Sequence, residues 1–274
     1  MTVWAVGSLR GAPGATTLAM GLAAAWPATT GRRCVVVEAD PNGGVLAARF
    51  DELRADRTLA DAAVALRRDI DIERLLAGAR PVWGAVPVIP CHPSAEQTTA
   101  VLVNAAERLA TGLAGTFDVD AIVDIGRLVA RSPALPLARR AVATLLLSGT
   151  RFEDVAILAA RVRELRAAGV EPLLVAVGDA VYDPEDVARE ADLPLFAVLP
   201  HDPRSAASLA GGTQGDGRLR RSLLWRTICE AASRLLQMSA PPVTVGEKPN
   251  IDVDLRDEAD DVHPNGRRPE VTSS

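Results

Sequence analysis

Two rhythms of apolar and polar positions take turns along this chain. Two-fold alternation and β-branched runs predict strands at Thr2–Gly7, Arg33–Glu38, Val86–Ile89, Ala121–Ile125, Ala143–Leu147, Leu173–Val177 and Leu195–Leu199. Between them, 3.6-fold patterns predict helices at Thr16–Trp26, Leu59–Leu66, Ile72–Leu76, Ala95–Leu113, Ala134–Ala141 and Glu153–Ala168. The last of these carries its apolar face on Val155, Leu158, Ala159, Val162 and Leu165. A final helix, Arg218–Met238, has an apolar stripe of Leu219, Leu223, Ile228, Ala231, Leu235 and Met238, with Arg220, Arg221 and Arg226 elsewhere around it. The stripe reads as a core-facing surface rather than one laid on a membrane. Strands alternating with helices of this length imply an α/β, doubly wound, mostly parallel sheet with helices on both faces and right-handed crossovers. No internal repeat is visible.

Composition sets the outer bounds. The 274 residues carry a formal charge of −5, with 48% hydrophobic residues. That is enough for a folded domain with a real core, and too balanced for a disordered chain or a generic polyanion binder. The pattern changes after residue 240. Residues 241–274 are rich in proline and acids, with eight acidic against four basic side chains, which leaves only −1 for the body. A domain over 1–240 followed by a disordered acidic tail is the expected organisation. Three scattered cysteines, Cys34, Cys91 and Cys229, argue against a disulfide framework, and Cys91-His92 has no second pair at zinc spacing. Met1–Gly7 has no secretory character, and no apolar run approaches the ~20 residues of a membrane span. A cytoplasmic address is expected, with at most peripheral membrane contact. One further fact of composition bears on chemistry. Lys248 is the chain's sole lysine, so residues 1–247 contain none.

Three segments carry candidate chemistry. Ser8-Leu9-Arg10-Gly11-Ala12-Pro13-Gly14-Ala15-Thr16-Thr17 joins the first strand to the first helix. Small residues there let backbone N–H groups surround an anion, with the helix dipole behind them. Taken alone, a plain tight turn explains the segment equally well. Glu38-Ala39-Asp40-Pro41-Asn42-Gly43-Gly44 ends the second strand, placing carboxylates at the sheet edge where ligands bind. A polar turn capped by Asp40 is the plainer reading. Ala121–Ile125 is an apolar strand holding Asp124 near its end, as a Mg²⁺-supporting carboxylate would be held.

Together and in this order, the three resemble the MinD/ParA group of P-loop ATPases, the SIMIBI class, over roughly residues 2–238. Arg10–Thr17 lies where that family has its deviant Walker A loop, Glu38–Gly44 where it has switch I, and Asp124 on the Walker B aspartate. Ser148-Gly149-Thr150, with Glu153, Asp154 and Val155, resembles the family's post-strand loop and helix, and Leu193–Pro203 its later strand ending in Pro200-His201-Asp202. The resemblance implies ATP or ADP bound by Gly11, Ala12, Gly14, Ala15, Thr16 and Thr17. It implies Mg²⁺ held by Thr16, Asp124 and Asp40, with Asp40 also the switch I catalytic acid if the protein is active. A homodimer closed around nucleotide follows from the same likeness.

The departures are as informative. The family's loop has two lysines; here Arg10 and Ala15 stand in their places. Pro13 removes one N–H from the nest. Gly178-Asp179 replaces an Asn-Arg that helps read adenine, and Glu38 replaces the first switch I aspartate. A cation about 4 Å from a phosphate charge contributes ~4 kcal/mol at an effective dielectric near 20, so its loss costs on the order of a thousandfold in affinity. Backbone donors, at ~1.5–3 kcal/mol each to a charged acceptor, still hold phosphate weakly. Weak nucleotide binding with impaired or absent hydrolysis is therefore expected.

The Gly-Ala-Thr loop, with Pro87-Val88-Ile89-Pro90 and Ser94-Ala95-Glu96-Gln97, resembles the CpaE-like branch, whose role is to position a secretion or pilus-assembly ATPase. That branch's receiver-like domain has no counterpart before Thr2. A pseudo-ATPase scaffold or localisation factor is the leading expectation. The alternatives are a working ATPase in which Arg10 contacts phosphate across a dimer, and an ATP-dependent small-molecule ligase of the dethiobiotin synthetase type. Arg10, Arg127 and Arg151 each also read as solvated loop arginines, and the body charge speaks against nucleic acid.

Overall fold

A computed structural model describes residues 2–11, 14–53, 58–65, 77–83, 85–115, 119–178, 181–211 and 217–239. The predicted helix at Ile72–Leu76, Ala12 and Pro13 of the first loop, Asp179 and the whole acidic tail lie outside these residues. In chain order the elements are β1 (Val3–Ser8), α1 (Ala15–Thr30), β2 (Arg33–Glu38), α2 (Leu46–Arg49), α3 (Leu59–Ala65), β3 (Arg80–Val82), β4 (Val86–Ile89) and α4 (Ala95–Ala114). They continue with β5 (Val119–Arg127), α5 (Leu135–Arg140), β6 (Ala143–Ser148), α6 (Phe152–Ala167), β7 (Pro172–Val177), α7 (Pro184–Glu190), β8 (Leu195–Leu199), α8 (Pro203–Leu209) and α9 (Leu223–Ser239).

The strands form one sheet in the order β3-β4-β2-β5-β1-β6-β7-β8. Every neighbouring pair is parallel except β3–β4. Side chains leave a strand alternately to its two faces, and β1 shows this directly. Val3 and Ala5 join a core with residues of α3–α7, whereas Trp4 and Val6 join another with residues of α1, α2, α8 and α9. The sheet is thus covered on both sides, as the continuous apolar strands require.

Local chemistry explains most element ends. Ser94 caps α4 by accepting from Gln97 N–H at 3.4 Å, so Ser94–Gln97 has a structural reason of its own to be there. Asp183 and Asp202 cap α7 and α8, each followed by proline at the first helical position. Sequence periodicity had missed these two helices because each is only two turns long, though the Asp-Pro pairs marked their starts. It also missed β3, a three-residue strand with Pro81 on the sheet's outer edge, where a missing N–H breaks no ladder.

The predicted last helix needs correction. Leu219–Arg221 is a separate 3-10 turn, and α9 starts at Leu223. The break at Ser222 resets the phase, so Leu224, Ile228, Ala231, Ala232 and Leu235 face the core. Leu223, at 56% exposure, and Met238 face solvent instead.

At the opposite edge from the strand C-termini, Asp120 gathers the start of the sheet. Its carboxylate accepts from Thr2 N–H at 3.0 Å, from Trp26 Nε1 at 3.0 Å, and from Arg32 through two bonds of 2.7 and 2.9 Å. It is 1% exposed, so each of these bonds compensates its removal from water. Asp120→Ala is expected to cost about 3 kcal/mol or more, because it strands three donors. Arg32→Ala, which leaves two partners in place, should cost only about 1 kcal/mol. Urea unfolding of both variants measures the difference.

Candidate functional site

The chain's candidate chemistry meets where the central strands end. β1 finishes at Ser8, whose hydroxyl donates to Arg10 O at 2.8 Å and turns the chain. Gly14 caps α1 with φ +98°, and Leu18 N–H bonds Gly14 O at 2.8 Å. The N–H groups of Ala15, Thr16 and Thr17 therefore lie ahead of the helix ladder, available to an anion. The Ala15 side chain is buried and brings no charge.

Beside this loop lies Asp124. Strand register sets it level with Val6 on β1 and with Glu38 on β2. It is 1% exposed. One oxygen, Oδ1, accepts from Gly126 N–H at 3.0 Å, while Oδ2 is buried with no hydrogen-bond partner. Burial pushes the carboxyl up to about 7, the Thr16 hydroxyl and Gly126 N–H oppose this, and the charges of Glu38 and Asp40 add to it. The Thr16 hydroxyl thus acts on Asp124 without satisfying Oδ2.

Asp40 closes the group. It lies directly over Gly126, where a Cβ would fall 2.0 Å from the Asp40 carboxyl carbon. Gly126 also has φ +57°, so the position excludes larger side chains on both counts. Asp40 Oδ1 accepts from the backbone and side-chain nitrogens of Asn42 at 2.8 and 2.9 Å. Thr16, Asp40 and Asp124 are therefore brought together. Glu38 is not part of that set. Its carboxylate is spent on backbone N–H groups of Val45, Leu46 and Cys91.

The arginines are placed less simply. Arg10 is half exposed, and its guanidinium pairs with Asp154 of α6 at 3.1 Å. Asp154 was read only as part of a resemblance; its role in holding Arg10 was not anticipated. Gly149 makes room for it, since a Cβ there would lie 2.3 Å from Asp154 Oδ2. Arg127, read as a solvated side chain, donates from Nε to Leu9 O at 3.3 Å and braces the same loop. Arg151 is exposed at the start of α6. Arg10, Ser148, Arg151, Gly178 and His201 line a cavity of about 370 Å³. A second, of about 250 Å³, lies between Gly14, Thr17, Val177, Pro200, Asp202 and Leu224. The loop is thus flanked by open space on the β7–β8 side and by carboxylates on the β2–β5 side.

The donor set near Asp124 suits a hard cation: carboxylate and hydroxyl oxygens, one of them an orphaned buried oxygen. Among the described residues no three His, Cys, Asp or Glu side chains form a ready-made metal cage. A cation here would complete its shell from water or a bound phosphate, as Mg²⁺ does.

The raised Asp124 carboxyl makes stability depend on pH. Between about 4 and 7 the folded chain holds a proton there that the unfolded chain has released, so stability falls as pH rises through that window and levels off above it. Asp124→Asn is expected to flatten this part of the profile in Mg-free buffer, and urea midpoints from pH 4 to 8 measure it.

No family model matches the chain, and no curated protein matches it either. Solved structures do. A ParA family ATPase from Chlorobium tepidum TLS superposes with a TM-score of 0.71 at 15% identity, covering 84% of this chain and 97% of that one. The cell division ATPase MinD of Pyrococcus furiosus gives 0.67 at 19%, covering 87% and 99%. Pyrococcus horikoshii MinD, complexed with Mg-ADP, gives 0.64 at 17%, covering 85% and 95%. At these identities the likeness establishes architecture: this chain has the fold of the ParA and MinD ATPases.

Proposed function

We propose that this protein is a MinD/ParA-type pseudo-ATPase that holds Mg-nucleotide weakly, hydrolyses little or none, and works as a dimerising scaffold or localisation factor. The observation that carries the reading is the uncharged, buried Ala15 at the start of α1. The nearby cations do not make up for it. Arg10 is engaged by Asp154 and Arg127 by Leu9 O.

What remains suits weak binding. The free N–H groups of Ala15, Thr16 and Thr17 would hold phosphate oxygens, as the sequence reading expected of Gly11–Thr17. Thr16, Asp124 and Asp40 would hold Mg²⁺, whose part is to neutralise phosphate charge. The cavity against Pro200 and Asp202 offers space for the rest of a nucleotide. Asp40, if any turnover occurs, would be the carboxylate that orients water.

The finer assignment rests on sequence likeness. The Gly14-Ala15-Thr16 loop and Pro87–Pro90 favour a CpaE-like role, as a homodimer in the cytoplasm that positions a secretion or pilus-assembly ATPase. No helix among the described residues is long and apolar enough to cross a membrane, so contact with one would be peripheral. The reading in which Arg10 replaces the lost lysines across a dimer requires Arg10 to leave Asp154, which works against it.

Calorimetric titration with Mg-ATP and a phosphate-release assay test the proposal. Ala15→Lys is expected to tighten binding by up to about a thousandfold, whereas the natural chain should bind weakly and release almost no phosphate. Turnover at the level of ordinary ParA ATPases in the natural chain overturns the reading.

A further inference from the structure

In switching P-loop proteins the segment after the second strand is ordered by phosphate and Mg²⁺ and released on hydrolysis. The corresponding segment here, Asp40–Leu46, is tied down by the protein itself. Glu38, at the end of β2, is 1% exposed. Its Oε1 accepts from Val45 N–H at 2.8 Å and Leu46 N–H at 3.0 Å, and its Oε2 from Cys91 N–H at 3.0 Å. One carboxylate thus joins the far end of the segment to the loop that follows β4.

Other bonds fasten the same stretch. Gly44 N–H donates to His92 O at 2.9 Å, Gly43 N–H to Asp40 O at 3.0 Å, and the Thr99 hydroxyl to Pro41 O at 3.1 Å. Packing leaves no slack. A Cβ on Gly44 would fall 2.5 Å from Glu38 Oε2 and 2.7 Å from Cys91 O, and one on Gly43 would fall 2.2 Å from Pro93 O. The segment is therefore held at Pro41, Gly43, Gly44, Val45 and Leu46, by side chains and backbone that belong to β2, the β4–α4 loop and α4.

We infer that Glu38 is a positioning residue that locks Asp40–Leu46 in one conformation whether or not nucleotide is bound, so that this fold has lost its switch as well as its phosphate cation. The residue type matters. An aspartate, which the resembling family has here, is one methylene shorter and cannot span to Val45, Leu46 and Cys91 together. The lone pairs of the buried carboxylate are taken up by the protein's own amides, so it has none to offer a ligand. The inference extends the proposed function by naming how the site is regulated: it is not regulated through this segment. The Asp40 carboxylate is then presented in a fixed place, and any partner that docks on the segment reads the same surface in every nucleotide state.

Amide hydrogen exchange on the full chain tests this, with and without Mg-ATP. In the natural protein without nucleotide, Gly44, Val45, Leu46 and Cys91 amides are expected to exchange as slowly as those of the flanking strands. Saturating Mg-ATP should slow exchange at Ala15–Leu18 and leave 43–46 unchanged. Glu38→Asp and Glu38→Ala should each speed exchange at Val45, Leu46 and Cys91 by about tenfold or more. Glu38→Gln keeps one accepting oxygen, so it should release either Cys91 or the Val45–Leu46 pair while keeping the other. Protection of the β5 amides reports that each variant is folded. Fast exchange at 43–46 in the nucleotide-free natural chain overturns the inference, as does a Mg-ATP effect there or the absence of any effect in Glu38→Ala. Should Mg-ATP leave Ala15–Leu18 unaffected as well, it is nucleotide binding that fails, and the nucleotide-free comparison of variants still decides whether Glu38 is the lock.

Discussion

Burial of the central strands on both faces is the constraint from which the rest follows. β2, β5 and β1 lie side by side with nearly every residue withdrawn from water. Their backbone groups must all pair within the ladder, and no charged side chain is tolerable along their length without dedicated partners. Polar chemistry is thereby expelled to the strand ends. At one end it becomes Asp120 with its four bonds, a purely structural use of charge. At the other, register sets Glu38 beside Asp124 and both beside the loop that follows β1. The two carboxylates are equally buried yet differently used. Glu38 is saturated by backbone donors, whereas Asp124 keeps an oxygen free. That difference separates a brace from a carboxylate still open to a partner more clearly than residue type does.

Most of the architecture was legible because it rests on repetition. Long periodic segments such as Ala95–Ala114 and apolar strands such as Ala143–Ser148 announce themselves through many residues at once. What escaped the sequence was short or contingent. β3 and α2 are too brief for a period to form. α7 and α8 were marked by capping chemistry instead, in Asp183-Pro184 and Asp202-Pro203. The phase of α9 turned on a single break at Ser222. Within the candidate site, the order of motifs along the chain picked out Thr16, Asp40 and Asp124, which the fold brings near one another. The pairing of Arg10 with Asp154 could not, since it joins residues 144 positions apart through side chains whose reach only the folded backbone sets. Glu38 was read as a substitution, and its three bonds emerge only from where the β4–α4 loop runs.

The charges around the first loop form a consistent pattern. Ala15 brings no charge, Asp154 pairs with the guanidinium of Arg10, and Arg127 is turned to a carbonyl. On the other side, the carboxylates of Asp40 and Asp124 remain, and burial raises the latter toward neutrality rather than a cation lowering it.

The helix that presents the first loop depends on the far end of the chain. α1 packs along α9, and at Gly21 the contact is so close that a Cβ would fall 2.7 Å from the Ile228 side chain. These residues lie more than two hundred positions apart. During synthesis α1 is made more than two hundred residues before its covering partner, so the loop's supporting helix has an apolar flank bare until α9 follows. The loop after β1 is thus steadied by a contact that closes only once α9 has been made, and any nascent chain arrested before α9 presents that flank to the cell's chaperones.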